Sequence, residues 1–310
     1  MAIRVVCPAD DFHVRQPDGA FADQAAAFAR LGWGVSTLAF EGDRVFRPAL
    51  MPGETVLYRG WMLDEVEYRA FVGAVEAGAR VLTLPDTDSV CFVNRSELHR
   101  SVNSTSGTRF SPARSARVER FCKPFNRSPH EAYLAAHHLP RWVPLLADVT
   151  PETVCFTDLD DLPGALAALG WDGFSVKDFV KSLKTGAGSR ITRPDQIGEL
   201  LARMAHFRGQ VEGGVCVRRV EDLGQASEVR FFVRAGRAFS ADGSDVPDMV
   251  RDVAGRIAPP FFSVDIARRA DGAQRVVEVG DGQVSDLVGW TPAQFMTVWA
   301  DAEGWADGAG

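Results

Sequence analysis

Residues 262–287, FSVDIARRADGAQRVVEVGDGQVSDL, place acids at a spacing that suits a cation. The runs SVDIA and RVVEV are rich in Val and Ile and flank Asp271-Gly272, a tight-turn signal. A two-residue turn centred there pairs Ala270 with Ala273, Ile266 with Val277, and Asp265 with Glu278. Side chains alternate along a strand, so Val264, Ile266, Val277 and Val279 share the opposite, apolar face. Carboxylates paired in this way have Cβ atoms roughly 5 Å apart and repel by about 3 kcal/mol at an effective dielectric of about 20. A hard divalent cation reverses that sign, and Mg²⁺ takes one or two protein carboxylates together with substrate phosphates. Asp281, soon after Glu278, is a third candidate oxygen ligand. The alternatives are a solvated pair at a sheet edge, or one acid neutralised by Arg268 or Arg275.

A second segment, FSVKDFVKSLKTGAGSR (174–190), supplies the opposite charge. Lys177 ends a β-run, Lys181 and Lys184 follow, and the loop continues through Gly186 and Gly188. Backbone N–H groups of such a loop approach phosphate oxygens closely, lysines act as point charges, and Ser182 or Thr185 adds a hydroxyl. A solvated basic turn is the competing reading. A third pair of segments, GVCVRRVED and EVRFFV, offers a strand through Val217 and Arg218 whose backbone suits a purine edge. Glu221 lies just past its end, where it would accept ribose hydroxyls, and Glu228 and Arg230 share one face of the next strand. Lysines, glycines, an acid-arginine strand and paired acids together are the parts of a Mg²⁺–nucleoside triphosphate site.

The elements that must hold these residues follow two patterns. The first 85 or so residues alternate strand and helix signals (IRVVC, DQAAAFARLG, GVSTLAF; ETVLYRG, LDEVEYRAFVGAVEAG, RVLTL), which predicts a parallel α/β layer. No GxGxxG or GxxxxGK[ST] follows its first strand, so a nucleotide must bind elsewhere. Residues 91–127 break the pattern: eight Lys or Arg against Glu97 and Glu119 give a local charge of +6. A surface connection or inserted loop is expected there, with a docking patch for an acidic partner as the alternative. From SPHEAYLAAHH onward, helices and antiparallel strands intermix, which predicts an α+β unit ending in a terminal helix, PAQFMTVWADAEGW.

Whole-chain properties exclude several function classes. A length of 310 residues allows two or more cores. The net charge of −7 argues against a general nucleic-acid binder. No apolar run approaches a membrane span and no signal peptide is evident, so a cytoplasmic protein without membrane association is expected. Five scattered cysteines without a CxxC pair predict reduced thiols rather than a disulfide or zinc framework. His130, His137 and His138 lack acids or cysteines at ligand spacing and are read as surface or packing residues.

The order of KDFVKS, EVRFFV, VDIA and VVEVGDGQVSDL resembles the ATP-grasp superfamily, closest to a clade of poorly characterised bacterial and phage members. The resemblance covers about 128–310 and implies three units. These are an N-terminal Rossmann-like pre-ATP-grasp domain (1–90), the basic connection (91–127), and an ATP-grasp domain of two α+β subdomains (128–310). By resemblance, Lys177 is the phosphate-contacting strand lysine, Lys181 and Lys184 are additional basic positions, Glu228 and Arg230 form the acid-arginine strand, and Asp265 and Glu278 are magnesium ligands. Many members carry Asn two residues after the metal-binding Glu, where this chain has Gly280, followed by Asp281.

The implied activity is ADP-forming ligation of a small-molecule or peptide carboxylate to an amine through an acyl phosphate, with ATP and Mg²⁺ as cofactors. Arg230 and Lys177 are the expected catalytic cations. A small-molecule kinase and a silent nucleotide-binding module are the alternatives, and a homodimer is an open assembly state.

Overall fold

The computed structural model describes residues 2–81, 129–180, 189–208, 211, 213–224 and 228–300. The basic segment 91–127 and the glycine-loop residues 181–188 lie outside the described residues.

The first layer follows β1 (Ile3–Pro8), α1 (Ala22–Arg30), β2 (Gly34–Leu38), β3 (Phe46–Arg47), β4 (Thr55–Tyr58), α2 (Glu65–Glu76) and β5 (Arg80–Val81). Its sheet has the order β3-β2-β1-β4-β5, with β1 parallel to β2 and β4, and β4 parallel to β5. The expected parallel layer is present, with the short β3 added as an antiparallel edge strand. β1 is buried on both faces, which explains its continuous apolar run. Asp64 caps α2 in a reciprocal box with Glu67, fixing where that helix starts.

The second layer follows α3 (Pro129–His137), α4 (Leu139–Trp142), β6 (Thr153–Phe156), α5 (Leu162–Leu169), β7 (Phe174–Asp178), β8 (Arg190–Ile191), α6 (Ile197–Arg208) and β9 (Val215–Arg219). Its antiparallel sheet has the order β6-β9-β7-β8. One face packs Val176, Val215 and Val217 against Leu166 of α5 and Leu200 and Met204 of α6.

The third layer follows β10 (Val229–Arg234), β11 (Arg237–Phe239), α7 (Asp248–Arg256), β12 (Phe261–Arg268), β13 (Gln274–Asp281) and α8 (Pro292–Phe295). Its order is β11-β10-β12-β13, again antiparallel. The first and third layers share a core in which Ile3, Val5, Phe28 and Trp33 pack with Phe232, Phe261, Phe295 and Trp299. Arg59, just after β4 and 1% exposed, donates to Gln24 Oε1 and to the carbonyls of Gly282 and Ser285. These contacts fix the segment after β13 beside the end of β4.

Three expectations need correction. The β12–β13 turn is not a two-residue turn: Arg269 N bonds Ala273 O at 2.8 Å, so Ala270-Asp271-Gly272 forms the connection, with Gly272 at φ 87°. The longer turn pairs Ile266 with Val276 instead of Val277, and a bulge then restores Asp265 opposite Glu278. Val276, not Val277, therefore joins the buried face with Val264, Ile266 and Val279.

Second, Cys155 and Cys216 are joined by a disulfide, not free thiols. They are direct partners on β6 and β9, with Cα atoms 4.0 Å apart despite a separation of 61 residues. Third, the terminal helix is short among the described residues: after α8 the backbone tightens into a 3₁₀ turn over Met296–Val298, and Trp299 N bonds Met296 O.

Candidate functional site

Strand parity sorts the second sheet into two faces. Lys177 pairs with Cys216 and Ser175 with Arg218, so Lys177, Cys216 and Arg218 share one face, while Val176 and Val217 point to the helix-covered core. In the third sheet, Arg230 pairs with Asp265 and Asp265 with Glu278, forming one row across three strands. Ser263 and Gly280 form the next row on the same face.

These two faces meet. Lys177 Nζ lies 3.2 Å from Glu278 Oε2, and Arg218 Nη1 donates to the carbonyl of Val277, the bulged residue. The bulge therefore has two effects: it keeps the acids opposite each other and turns a backbone carbonyl toward the second sheet.

Within the row, Arg230 clamps Asp265 through Nε–Oδ1 (2.7 Å) and Nη2–Oδ2 (2.6 Å), and its Nη1 donates to the carbonyl of Asp286 at 2.7 Å. Trp290 Nε1 donates to Arg230 O at 3.0 Å, steadying that strand from the far side. Asp265 is 1% exposed. A bidentate arginine suits a buried carboxylate because its planar fork satisfies both oxygens.

The electrostatics show strain of a definite sign. Burial, then the charges of Asp265 and Glu278, raise the pKa of Glu228, immediately before β10. Burial lowers the pKa of Lys177 against the opposing pull of Glu278. Arg218, 5% exposed, is pushed down to about 10 by burial, and its Nε and Nη2 have no hydrogen-bond partner. Its guanidinium lies over the Trp142 ring, 5.1 Å from the centroid. Acids that raise one another's pKa favour an added cation, and orphaned guanidinium N–H groups favour an added anion.

Several sequence-selected residues do not join this cluster in the expected way. Lys181, Ser182, Lys184, Gly186 and Gly188 lie outside the described residues. Val217 offers no free backbone edge, because β9 is interior and Val217 pairs with Val154 on one side and Val176 on the other. The same holds for the backbone of Arg218, whose side chain is the group that faces the site. Glu221 is engaged by Arg275 at 3.0 Å and Arg269 at 3.7 Å, and it lines a cavity of about 320 Å³ with Thr150, Thr153 and Arg275.

Asp281 is an odd number of residues from Glu278 and lies on the opposite face of β13. It is 2% exposed, accepts from Gln283 N at 2.8 Å, and is pushed up to about 7 by burial. It therefore does not stand with Asp265 and Glu278. The histidines behave as packing residues: His137 stacks on Tyr133, with ring centroids 4.7 Å apart.

Among the described residues, no three His, Cys, Asp or Glu side chains stand close enough together to hold a metal ion. The two facing acids are instead held by Arg230 and Lys177. Three observations fit magnesium and a nucleotide phosphate there: an all-oxygen donor set, a glycine at 280 that leaves room beside the acids, and the unpartnered N–H groups of Arg218.

Two antiparallel sheets that close on a row of acids and cations, beside an α/β layer, define an ATP-grasp nucleotide site. A family model described as an ATP-grasp domain, family 3 of its clade, matches residues 117–300, and the chain belongs to that family. No curated protein matches the sequence. Among solved structures, D-cycloserine synthetase DcsG is 15% identical over 97% of this chain and 99% of that one, with a TM-score of 0.60.

The ATP-grasp ligase PsnB, in complex with precursor peptide PsnA2 and AMPPNP, is also 15% identical, over 97% and 96% of the two chains, with a TM-score of 0.51. A RimK domain ATP-grasp protein from Sphaerobacter thermophilus DSM 20745 is 13% identical over 100% and 98%, with a TM-score of 0.51. These likenesses are of fold. Family membership makes the protein an ATP-dependent ligase that uses ATP and Mg²⁺. No helix among the described residues is long and apolar enough to cross a membrane.

Proposed function

We propose that the protein joins a carboxylate to an amine or similar nucleophile through an acyl phosphate, releasing ADP and phosphate. The observation that carries this reading is the continuous row Arg230–Asp265–Glu278–Lys177, which spans both sheets and pairs each acid with a cation.

ATP with Mg²⁺, when bound, supplies the phosphoryl group that activates the carboxylate. Asp265 and Glu278 are the residues that would hold the cation. Lys177, released from Glu278, and Arg218, with two free N–H groups, neutralise phosphate charge. Arg230 stabilises the oxygens of the transferred group from the opposite side of the acids. Such chemistry rests on position and charge and needs no side-chain nucleophile. The glycine loop, with Lys181, Ser182, Lys184, Gly186 and Gly188, is assigned to phosphate contact, and Glu221 to the ribose end beyond β9.

Peptides are included among the carboxylate substrates. Support comes from the solved complexes of PsnB with PsnA2 and of macrocyclase MdnC from Microcystis aeruginosa MRC with precursor peptide MdnA, the latter at 12% identity, 99% and 100% coverage and a TM-score of 0.50.

The test is ADP release from Mg²⁺–ATP with a panel of peptide and small-molecule carboxylates and amines, with the phosphate followed by isotope label. Free phosphate and a linked product are expected. Label that stays on the acceptor would replace this reading with a kinase. Asp265→Asn and Glu278→Gln should each abolish turnover and keep the native fold; unchanged turnover in both removes the site assignment.

A further inference from the structure

Gly280 sits on the same face as Glu278 and directly opposite Ser263, so the row next to the acids holds one side chain, that of Ser263. A Cβ added at Gly280 would lie 2.9 Å from Ser285 Oγ and 3.1 Å from Ser263 Oγ. Two hydroxyls therefore fill the space into which a side chain at 280 would project. Both serines are buried, with Ser263 2% and Ser285 9% exposed.

Their hydrogen bonds have a direction. Ser285 Oγ donates to Asp281 O at 2.8 Å, which uses its single proton. In the 2.7 Å contact between the two hydroxyls, Ser285 is then the acceptor and Ser263 the donor. The 3.4 Å contact from Ser263 Oγ to Gly280 O is too long to compete for that proton. Ser263 thus points its proton at Ser285 and keeps both lone pairs available, on the face and strand that carry Asp265. The Arg59 contact to Ser285 O anchors this arrangement from the first layer at 2.9 Å.

We propose that Ser263 supplies a third protein oxygen to the magnesium held by Asp265 and Glu278, with Ser285 as the positioning residue that orients it. This rests on the nucleotide–magnesium reading above. Mg²⁺ is a hard cation that prefers near-octahedral oxygen coordination, and a neutral hydroxyl adds a ligand without adding a third negative charge to a site where the acids already repel. It also explains how the site is completed although Gly280 has no side chain and Asp281 faces away.

The experiment measures Mn²⁺ binding to the full chain in the presence of AMPPNP by electron paramagnetic resonance, with Cd²⁺ titrated in parallel by calorimetry. Ser263→Ala should weaken Mn²⁺ about tenfold or more. Ser285→Ala should produce a smaller loss, since the hydroxyl it orients remains. Ser263→Cys should lose Mg²⁺ and Mn²⁺ affinity but gain Cd²⁺ affinity over wild type, a switch that a purely structural serine would not produce.

Mn²⁺ binding by Ser263→Ala within about twofold of wild type, with no Cd²⁺ gain in Ser263→Cys, overturns the proposal; loss of binding in Asp265→Asn alongside would leave the acid site standing. Absence of Mn²⁺–AMPPNP binding by wild type overturns the nucleotide reading and this proposal together. Should Ser263→Ala not fold, the Cd²⁺ response of Ser263→Cys decides.

Discussion

Arg230 and Asp265 face each other across β10 and β12 and share two hydrogen bonds of 2.7 and 2.6 Å, with the carboxylate 1% exposed. The pair is both a structural clamp and half of the cation site, and substitution separates the two roles. Arg230→Met strands a buried carboxylate, which costs about 3–5 kcal/mol. Arg230→Met with Asp265→Asn removes that charge and should recover a large part of the loss, measured by urea unfolding, without recovering turnover. Equal stability of the single and double variants would show that the pair is not coupled.

Lys177 and Arg218 should respond differently because one is paired and the other is not. Lys177→Ala removes the partner of Glu278 as well as a phosphate contact, so AMPPNP affinity should fall and thermal stability should fall with it. Arg218→Met deletes two N–H groups that have no partner and one bond to Val277 O, so its stability loss should stay within about 1 kcal/mol. Its AMPPNP affinity should fall about tenfold or more, as expected for a charge-assisted contact. Calorimetric titration checks both, and an unchanged affinity removes the residue concerned from the phosphate cradle.

Asp281 gives a pH signature. Its folded pKa of about 7 lies above the ordinary 3.8, raised by burial against the opposing bond from Gln283 and the charge of Arg59. Between those values the folded state holds a proton that the unfolded state has released, so this group's contribution to stability falls as pH rises from about 4 through about 7. The full difference is on the order of 4 kcal/mol. Asp281→Asn lacks the titration, so its stability should overtake wild type progressively across that window and run parallel above it. Parallel curves throughout would contradict the raised value.

The Cys155–Cys216 bridge closes a loop of 61 residues. Chain entropy assigns such a loop about 4 kcal/mol. A reductant, or Cys155→Ser, should therefore lower the unfolding midpoint clearly. Because Cys216 is the direct partner of Lys177, AMPPNP affinity measured in the same samples reports whether the bridge also supports the site. A midpoint that does not move would place the bridge outside the stabilising contacts.

Much of this fold is written locally. The alternating segments of the first layer, the strand TVCF at 153–156 and the helix beginning at Leu162 all appear at their expected places, since each depends on apolar periodicity and a nearby cap such as Asp161. The opposition of Asp265 and Glu278 was also legible, although by two offsetting differences: the turn is one residue longer, and the bulge at Val277 compensates. A bulge leaves no composition signal because it satisfies hydrogen bonds supplied by other strands, here Arg218 of β9.

The sequence by itself determined the chemical parts: paired acids, a strand lysine, an arginine beside an acid, and apolar runs of strand length. Their order was enough for a family resemblance. Only the tertiary structure decided which parts share a space. It turned Asp281 away by strand parity, enclosed the backbone of Val217 between two neighbouring strands, joined Cys155 to Cys216, and brought Ser263 and Ser285 to the gap at Gly280. The physical reason is that side-chain direction alternates with every residue and sheet order is set by contacts distant in sequence, so one residue of register or one neighbouring strand changes what a side chain can reach.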